Sequence, residues 1–327
     1  MVLLANVTIS GGGIQYTNPP VGPTPTFQGS ISGYSSGGFF GPIRSRINKF
    51  PFPSDSNATT VGDLTQGRYY LAGQSSSVSG YATGGDNSYL APAVGLTTMD
   101  KFPFASDTNA TFVGSLSQGR NLCTGQSSQT YGYGYTSGGN DPPLSPALVN
   151  TIDKFPFSSN SNATDVGDLS TTNAGPAGQS SNISGYTSGG NRAGTTSSVV
   201  DKFPFATNNN ATFVGNLTQA RTNFPTGQSS ADNGYTSGGY VSSPQIRSNV
   251  IDKFSFASDS NATSVGNLLT TRSGASGQSS TVSGYTSGGL VLPVTNNISK
   301  FPFASDSNAT SVGVLTESIQ AMCGQQV

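Results

Sequence analysis

Acidic side chains are the main groups in this chain that could do chemistry, and their positions argue against it. A glycosidase needs two carboxyl groups about 5 to 10 Å apart that act as acid and as base or nucleophile. Eight of the fourteen aspartates recur instead in a repeated turn (Asp55, Asp107, Asp259, Asp306) or directly before a repeated lysine (Asp100, Asp153, Asp201, Asp252). A residue that recurs from repeat to repeat serves the scaffold, so we assign no catalytic residue.

Other catalytic side chains are absent or rare. The chain has no histidine, which removes the base of Ser-His-Asp enzymes and the histidine ligands of zinc and copper sites. Glu317 is the only glutamate. Asp-x-Asn recurs in the turns, but it does not supply the roughly six to eight oxygen ligands of calcium. We predict a non-enzymatic protein with no cofactor and no assigned metal site.

A repeat that occurs six times positions these residues. It contains Gly-Tyr-x-x-Gly-Gly, Lys-Phe-x-Phe, Asn-Ala-Thr and Val-Gly-x-Leu, and a Gly-Gln-Ser-Ser element occurs five times with a broken sixth copy at Gly324. The Lys-Phe-x-Phe elements begin at Lys49, Lys101, Lys154, Lys202, Lys253 and Lys300. A period of roughly 50 residues is typical of propellers and other repeat arrays.

Four short strands fit into each unit. In the second unit we predict them near 69–76, 80–85, 99–104 and 111–116. Phe102 and Phe104 fall on one face of a strand, and no segment has a helical period. Four strands in a unit of this length are typical of a propeller blade. We predict an all-β fold, a six-bladed β-propeller with four-stranded blades over residues 29–327, and an extended N-terminal arm over residues 1–28.

The turn between the third and fourth strands carries Asp or Asn, followed two residues later by Asn. The first position is Asp55, Asp107, Asn160, Asn208, Asp259 or Asp306. We expect this side chain to accept hydrogen bonds from its own turn, and the second Asn to tolerate a left-handed conformation. The motif resembles a degenerate Asp-box of sialidase-type propellers, which implies a structural role. Asn-Ala-Thr also matches the glycosylation sequon, but the turn accounts for these residues without a glycan.

The order of elements in each unit also resembles a kelch repeat. Arg68 precedes a strand, a hydroxyl-rich strand ends at Gly84-Gly85, and an aromatic strand with Asp100 follows a variable loop. The kelch Trp of the last strand is absent. Arg recurs at Arg68, Arg120, Arg221 and Arg272, while Asn173 and Ile319 stand at the other two positions. The resemblance implies that this Arg links neighbouring blades. The Asp-Lys dipeptides are interpreted as cross-strand or inter-blade pairs, each worth under about 1 kcal/mol if exposed.

The register of the repeat brings the two ends of the chain together. The first unit begins at its second strand, 33–38, and the chain ends after a first strand, 320–325. The C-terminal strand can therefore complete the first blade and leave no exposed edge; a competing register uses residues 27–31 instead. In the arm, Val2, Leu4, Val7 and Ile9 form a strand-like pattern before a Pro-rich spacer. The arm could add a strand to a neighbouring subunit or be a loosely held terminus.

Charge and cysteine content limit the partners. A net charge of -1 gives no electrostatic footprint for nucleic acid or an anionic membrane, and no stretch reaches the length of a membrane span. The apolar segment 1–5 is too short for a secretory signal and lacks its basic flank. Cys123 and Cys323 fall two blades apart in the predicted ring, too far for a disulfide, so we expect free buried thiols.

The segment between the second and third strands differs from unit to unit. These six loops share one end of the predicted ring and carry aromatic, arginine and proline side chains, which are typical of contact surfaces. The candidate contact residues are Phe39, Phe40, Arg44, Arg46, Tyr89, Arg192, Tyr240 and Arg247, with Pro142 and Pro143 beside them. The sequence leaves open whether they contact a sugar or a protein.

The repeat text resembles tandem repeats encoded by marine tailed bacteriophages, cyanophages among them. The resemblance rests on stretches such as 251–268, followed by Gly-Gln-Ser-Ser and Gly-Tyr-Thr-Ser-Gly-Gly, and covers about nine tenths of the chain. It implies a structural protein exposed on a phage virion: a capsid decoration, tail or fibre component. Such a protein would be present in several symmetric copies and would bind other virion proteins through the arm or a ring face.

A second hypothesis comes from another class of protein. A carbohydrate-binding adhesin or lectin module would recognise host-surface glycans or a host receptor through aromatic platforms, for which Phe39, Tyr89 and Tyr240 are the candidates. Neither hypothesis requires nucleic acid binding or membrane insertion.

Overall fold

The computed structural model describes residues 6–10, 13–17, 28–88, 95–142 and 147–327, and all regular structure in them is β-strand. The first strands are β1 (Asn6–Ser10), β2 (Gly13–Thr17), β3 (Ser32–Ser36), β4 (Arg46–Pro51), β5 (Thr59–Asp63), β6 (Ala72–Ser75), β7 (Ser79–Thr83), β8 (Thr98–Pro103), β9 (Thr111–Ser115) and β10 (Thr124–Ser128). They are followed by β11 (Tyr133–Asn140), β12 (Leu148–Pro156), β13 (Thr164–Asp168), β14 (Asn173–Ala174), β15 (Ala177–Ser180), β16 (Ser184–Ser188), β17 (Asn191–Arg192), β18 (Thr195–Thr196), β19 (Val199–Pro204) and β20 (Thr212–Asn216). The last are β21 (Thr226–Ser229), β22 (Asn233–Ser237), β23 (Tyr240–Ser242), β24 (Gln245–Arg247), β25 (Val250–Ser255), β26 (Thr263–Asn267), β27 (Ser276–Ser279), β28 (Ser283–Ser287), β29 (Asn297–Pro302), β30 (Thr310–Val314) and β31 (Cys323–Gln326).

Six antiparallel sheets of four strands each make up most of the described chain. Sheet 1 has the order β31-β3-β4-β5, sheet 2 β6-β7-β8-β9, sheet 3 β10-β11-β12-β13, sheet 4 β15-β16-β19-β20, sheet 5 β21-β22-β25-β26 and sheet 6 β27-β28-β29-β30. Smaller sheets are β1-β2, β14-β17-β18 and β23-β24. We call the first strand in each of the six orders the inner strand. The strands predicted for the second unit correspond to β6 to β9.

Sheet 1 combines the C-terminal strand with the first unit of the repeat. β31 pairs with β3 in a register that places Gly33 opposite Gln326 and Ser36 opposite Cys323. Of the alternative segment 27–31, residues 28–31 are described, and they do not form the inner strand. The Ile31 N–H donates to the Val327 carbonyl at 2.7 Å, and Gly29 bridges to Ser280 of sheet 6.

Neighbouring sheets pack through one repeated aromatic contact. The buried tyrosine of each second strand contacts two phenylalanines that share a face of the next sheet's third strand. The Tyr34 ring centroid lies 5.5 Å from that of Phe102 and 4.9 Å from that of Phe104. The other contacts are Tyr81 with Phe155 and Phe157, Tyr135 with Phe203 and Phe205, Tyr186 with Phe254 and Phe256, Tyr235 with Phe301 and Phe303, and Tyr285 with Phe50 and Phe52. The apolar core therefore lies between sheets, as in a β-propeller-like fold.

The inner strands approach so closely that only glycine fits at one position. A Cβ atom on Gly227 would overlap the carbonyl oxygen of Gly178 on the preceding inner strand. The same overlap would occur at Gly73, Gly125, Gly178, Gly277 and Gly324. The following residue is a buried glutamine, whose amide nitrogen donates to a tyrosine carbonyl of the next sheet, as Gln74 does to Tyr135 at 2.9 Å. These two contacts explain the recurring Gly-Gln pair.

The repeated turns bond to the neighbouring sheet, so the expectation that they cap themselves was wrong. The Asp107 carboxylate accepts from the Lys49 ammonium of the preceding sheet at 3.0 Å. Equivalent pairs join Lys154 to Asn208, Lys202 to Asp259, Lys253 to Asp306 and Lys300 to Asp55. Asn160 has no equivalent bond within the described residues. In five of the six turns, the first side chain therefore accepts from a lysine of a neighbouring sheet.

The asparagine two residues later in the turn also bonds to a neighbouring sheet. Asn109 Oδ1 accepts from the Asp63 N–H at 3.0 Å. The other bonds join Asn57 to Val314, Asn162 to Ser115, Asn210 to Asp168, Asn261 to Asn216 and Asn308 to Asn267. None of these asparagines has a positive φ, so the expected left-handed conformation was also wrong. The amide oxygen accepts from the N–H at the end of a neighbouring fourth strand, and this hydrogen bond explains why asparagine recurs at this position.

The described part of the N-terminal arm is a hairpin. β1 pairs with β2, with Val7 opposite Tyr16 and Ile9 opposite Ile14. Val2 and Leu4 lie outside the described residues. The chain reaches the sheets at Gln28, whose side-chain amide donates to the Ser229 carbonyl at 3.1 Å.

Candidate functional site

One end of the sheets carries the segments that differ between repeats. Because the strands of each sheet alternate in direction, the loops between second and third strands lie at the same end as the connections from one sheet to the next. The loops are 37–45, 84–97, 141–147, 189–198, 238–249 and 288–296, and the connections are 64–71, 116–123, 169–176, 217–225, 268–275 and 315–322. We call this end the loop face; its residues 89–94 and 143–146 lie outside the described chain.

Arg44 and Arg46 are not free contact residues. Arg44 Nε lies 2.8 Å from one carboxylate oxygen of Glu317, and Arg46 Nη1 lies 3.0 Å from the other. Glu317 belongs to the connection that leads into β31. The single glutamate of the chain therefore holds the loop of sheet 1 against the C-terminal segment. This ion pair was not predicted from the sequence, because its members are far apart in the chain.

Arg192 is also occupied by a structural contact. Its guanidinium lies 2.7 Å from the carboxylate of Asp201, a side chain with no exposed surface. In the β23-β24 hairpin, Tyr240 lies opposite Arg247, and both are partly exposed. Arg247 makes no ion pair within the described residues, and its Nε has no hydrogen-bond partner there. Of these three candidates, Tyr240 and Arg247 remain available for contact.

Of the two aromatic candidates in the first loop, one is exposed and the other packs against a second aromatic residue. Phe40 is 47% exposed, whereas Phe39 is partly buried and lies 5.5 Å from the Tyr69 ring. Tyr89 lies outside the described residues, as does Pro143, while Pro142 is described.

Phe39 belongs to a cluster of four aromatic residues, of which the sequence analysis identified only this member. The Tyr69 ring centroid lies 4.6 Å from that of Tyr70, and Tyr70 stacks on Phe224 at 4.8 Å and 8° between planes. We call Phe39, Tyr69, Tyr70 and Phe224 the aromatic cluster. Burial, with a contribution from Asp86, raises the pKa of Tyr69 and Tyr70, so both phenols are neutral. The signal available in the sequence was the Tyr-Tyr pair directly after Arg68.

Tyr70 and Phe224 stand on a cycle of backbone hydrogen bonds. Each of the six connections contributes one residue, whose N–H donates to the carbonyl of the residue from the preceding connection. The bonds run from Leu122 to Tyr70 at 2.9 Å, Gly175 to Leu122 at 2.7 Å, Phe224 to Gly175 at 3.3 Å, Gly274 to Phe224 at 3.1 Å, Ala321 to Gly274 at 2.6 Å and Tyr70 to Ala321 at 2.9 Å. All six have positive φ. This conformation costs a non-glycine residue about 1 to 2 kcal/mol, and the cycle holds the four non-glycine members in it.

Buried ion pairs join the connections to the sheets. Asp100 has no exposed surface, and its carboxylate lies 2.9 Å from Arg68 Nη2. It also accepts from the Thr65 N–H at 3.0 Å and the Thr65 hydroxyl at 2.7 Å. The Arg68 N–H donates to the Arg44 carbonyl of the sheet 1 loop at 3.0 Å. Arg68 therefore contacts sheet 2 through its side chain and the loop of sheet 1 through its backbone N–H.

The interpretation of each Asp-Lys dipeptide as a source of exposed pairs was half correct. Consecutive strand residues point to opposite faces, so Asp100 faces the buried arginine while Lys101 faces outward. Of the four lysines in these dipeptides, Lys154, Lys202 and Lys253 bond to exposed turn residues, and the four aspartates are buried.

The residues at the buried arginine and aspartate positions differ between sheets. Sheets 2, 3 and 5 contain the pairs Arg68–Asp100, Arg120–Asp153 and Arg221–Asp252. In sheet 4, Asn173 replaces the connection arginine, and Arg192 of the loop pairs with Asp201. In sheet 1 both charges are absent, since Ile319 and Asn48 occupy the two positions, and the Thr316 hydroxyl donates to Asn48 at 2.6 Å. In sheet 6, Arg272 remains, but Ser299 replaces the aspartate.

Both cysteines are free and buried, as expected. Burial raises the pKa of Cys123 to about 11 and that of Cys323 to about 12. Both are therefore thiols at neutral pH and poor nucleophiles. They line the cavity of about 80 Å³ between the inner strands.

Within the described ranges, no group of three or more Asp, Glu or Cys side chains could hold a metal ion. The same part of the chain has no helix long and apolar enough to cross a membrane.

The fold, but not the sequence, is similar to a known structure. No protein-family model and no curated protein matches the chain. A solved structure described as "Structure of YjhT" superposes with a TM-score of 0.61 over 78% of this chain and 86% of that chain, at 13% sequence identity. At this identity the likeness concerns the fold alone, and it agrees with the β-propeller-like arrangement of the sheets.

Proposed function

We propose that sheets 1 to 6 are the blades of a six-bladed β-propeller whose ring is closed by the C-terminal strand. Three kinds of contact support closure, because each runs through all six sheets and returns from sheet 6 to sheet 1. Tyr285 contacts Phe50 and Phe52. The Gln278 amide donates to the Tyr34 carbonyl at 2.9 Å. A Cβ atom on Gly324 would overlap the Gly277 carbonyl.

We further propose that this propeller is a non-enzymatic structural protein of a phage virion, with its loop face as a contact platform. One observation carries the proposal: the repeated residues bond to neighbouring sheets, while the variable residues gather on one face. The buried aspartates are held by arginine and hydroxyl donors, which leaves them unavailable as acids or bases. The resemblance of the repeat to phage tandem repeats supports the virion as the location, where the chain would occur in several symmetric copies.

The decisive experiment is imaging of purified particles by cryo-electron microscopy, with mass spectrometry of the same preparation. We expect a ring of six radial sheets at a symmetric position, bound to other virion proteins and with the loop face open to solvent. Absence of the chain from the particles would overturn the virion assignment, while a soluble folded ring would leave the propeller assignment intact.

A second experiment tests the arm as the attachment element. A chain that lacks residues 1–27 keeps Gln28 and its contact with Ser229, so we expect unchanged thermal unfolding. We also expect its incorporation into particles to be lost. The matched control replaces residues 1–27 with a Gly/Ser segment of the same length. Normal incorporation of either variant would assign attachment to a ring face instead.

The aromatic cluster supports a second candidate function, binding of host-surface glycans. Tyr70 and Phe224 come from the connections into sheets 2 and 5, yet stack face to face on the loop face. Both are partly exposed, and rigid aromatic side chains give large contact area at low entropic cost. Together with Phe39 and Phe40 they would form the apolar part of such a site.

The glycan hypothesis can be tested without disturbing the backbone cycle. Asparagine tolerates the left-handed conformation, so Tyr70→Asn and Phe224→Asn remove the rings but not the hydrogen bonds. We expect binding on a glycan array to disappear in both variants and to persist in Tyr131→Ala, which removes an aromatic residue that is 38% exposed at the opposite end of sheet 3. Equal binding by all three variants, or no binding by the wild type, would exclude the cluster as a glycan site.

A further inference from the structure

Sheet 6 contains a buried arginine without a carboxylate. Arg272 is 1% exposed, and no ion pair involves it in the described chain. Its Nη atoms donate to five neutral acceptors: the Gly288 and Asn297 carbonyls at 3.2 and 3.4 Å, Thr270 Oγ1 at 3.1 Å, and Asn297 Oδ1 and Ser299 Oγ at 3.2 Å. All are longer than the 2.6 and 2.9 Å contacts of Arg120 and Arg68 with their aspartates.

The lack of a carboxylate partner affects the pKa of Arg272. Burial alone lowers the pKa of Arg272 to about 10. Burial also lowers the pKa of Arg68 and Arg221, but Asp100 and Asp252 oppose that shift. A buried charge without a counter-charge is costly, so sheet 6 is the place where an external anion would stabilise the fold most.

A second donor is free at the same place. In sheet 2 the Thr65 N–H donates to Asp100. Leu269 occupies the equivalent position before sheet 6, and within the described residues its N–H donates no hydrogen bond. Residue 299 is serine, with a hydroxyl where aspartate would carry a carboxylate. Both the guanidinium and this N–H therefore lack the carboxylate that sheets 2, 3 and 5 supply.

A groove of about 350 Å³ opens at these two residues. It is lined by Arg272 and Leu269, by the polar side chains of Thr270 and Asn297, and by Val291 and Pro293 of the adjoining loop. The volume lies within the range of small-molecule sites. A guanidinium matches the planar geometry of a carboxylate, and the loop residues supply an apolar wall.

We propose that this groove binds a small organic carboxylate with an aliphatic body. One carboxylate oxygen accepts from both the Arg272 guanidinium and the Leu269 N–H, as Asp100 Oδ2 accepts from Arg68 and the Thr65 N–H in sheet 2. The aliphatic part lies against Val291 and Pro293. The site goes beyond the proposed virion role and does not depend on it.

The test is thermal unfolding and calorimetric titration of the full chain with acetate, propionate and butyrate, with chloride as the comparison anion. We expect carboxylates to raise the unfolding temperature at ionic strengths where chloride does not. Each added methylene should tighten binding about fourfold, the factor that corresponds to burial of one CH₂ group. The absence of a carboxylate effect, or an equal effect of chloride, would overturn the proposal.

Two variants make the result specific. The pair Leu269→Thr with Ser299→Asp supplies the missing carboxylate and hydroxyl from within, so we expect a higher unfolding temperature and no further response to butyrate. Arg272→Met removes the cation, and the Ile319 of sheet 1 shows that an apolar residue is accommodated at this position. We expect its response to be lost as well. A butyrate response that survives in either variant would place the effect elsewhere.

The source of the carboxylate can be distinguished in the same assay. A short peptide that ends in valine offers the same chemistry as butyrate, and its amidated form lacks the charge. Tighter binding of the free-acid peptide than of butyrate would identify a chain terminus as the ligand. Weaker binding would identify a free small acid.

Discussion

At the inner strands, the same contact is made six times by the same residues, whereas on the loop face six segments differ in length, composition and partners. Gly227 abuts Gly178 as each of the other inner glycines abuts its neighbour. On the loop face, by contrast, Arg44 and Arg46 bind Glu317, Arg192 binds Asp201, and Arg247 binds no carboxylate among the described residues.

This difference follows from what each region must satisfy. At each of the six inner glycines a Cβ atom would overlap a glycine carbonyl oxygen of the neighbouring inner strand, so one residue type is correct at all six positions. The loops have no such common contact. Loop 37–45 contacts two connections, through Glu317 and Arg68, whereas Thr196 of loop 189–198 bonds to Ser242 of the neighbouring loop. Between the two regions, the buried arginine and aspartate positions also vary. Their members change together in sheet 1, where Ile319 accompanies Asn48, and in sheet 4, where Arg192 substitutes for the arginine that Asn173 replaces, but sheet 6 keeps Arg272 without an aspartate.

The largest effect is expected at the inner glycines. Gly227→Ala places a Cβ against the Gly178 backbone, so the inner strands must separate at a cost above about 3 kcal/mol. Circular dichroism during thermal unfolding measures the loss. The control is Gly132→Ala, which meets no atom within 4 Å and has a φ of +73°, for a cost of about 1 to 2 kcal/mol. Equal stability of the two variants would contradict the close approach of the inner strands.

The repeated tyrosines should make the protein unfold in alkali. Burial raises the pKa of Tyr34, Tyr81, Tyr186 and Tyr285 from 10.0 to about 12. Because the folded pKa exceeds the unfolded one, this stabilisation is complete below pH 10 and is lost as the pH rises from 10 to about 12.

Urea unfolding between about pH 9 and pH 11, together with tyrosinate absorbance, measures the loss. We expect a steep fall in the free energy of unfolding, and a shallower one in Tyr81→Phe. A flat profile would show that these phenols ionise equally in the folded and unfolded chains.

The buried pairs should be costly to break singly and cheaper to remove together. Asp100→Asn leaves Arg68 without a counter-charge, for which we expect a loss of about 3 to 5 kcal/mol. Adding Arg68→Ile reproduces the Ile319 and Asn48 combination of sheet 1. A double-mutant cycle should then show that the double variant recovers part of the loss. Strict additivity would mean that the members of the set do not depend on one another.

The smallest effect is expected at the exposed pairs. Lys202 and Asp259 lie 2.7 Å apart with side chains 30% and 55% exposed, so Lys202→Ala should cost less than about 1 kcal/mol, and less still at high salt. Lys101→Ala is the control, because Lys101 makes no ion pair within the described residues. A salt-independent difference between the two variants would argue against an electrostatic origin.

Most of the fold could be predicted from the sequence because its signals are local and repeated. The period-two placement of Phe102 and Phe104, the Gly-Gly pair that ends each second strand and the phase of the last unit predicted the strands and the pairing of β31 with β3. The turn chemistry was predicted less well. The same Asp and Asn residues could cap their own turn or bond a neighbour, and only the approach of the next sheet decides between these outcomes.

The candidate contact residues were harder to judge. Their residue types indicated a surface, but Arg44, Arg46 and Arg192 are occupied by partners that residue type does not reveal. The aromatic cluster was missed for the same reason, because Tyr70 and Phe224 belong to different repeats and meet only where two connections approach.

The sequence by itself determined the number of units, the all-β strands, the absence of a histidine-dependent site and the free state of Cys123 and Cys323. These properties depend on composition and on spacing along the chain. The tertiary structure decided which charges are paired, which aromatic residues stack and that Arg272 of sheet 6 is buried without a carboxylate partner. Those outcomes depend on distances between residues that are far apart in the chain, and a repeat that is nearly the same in all six sheets does not specify them.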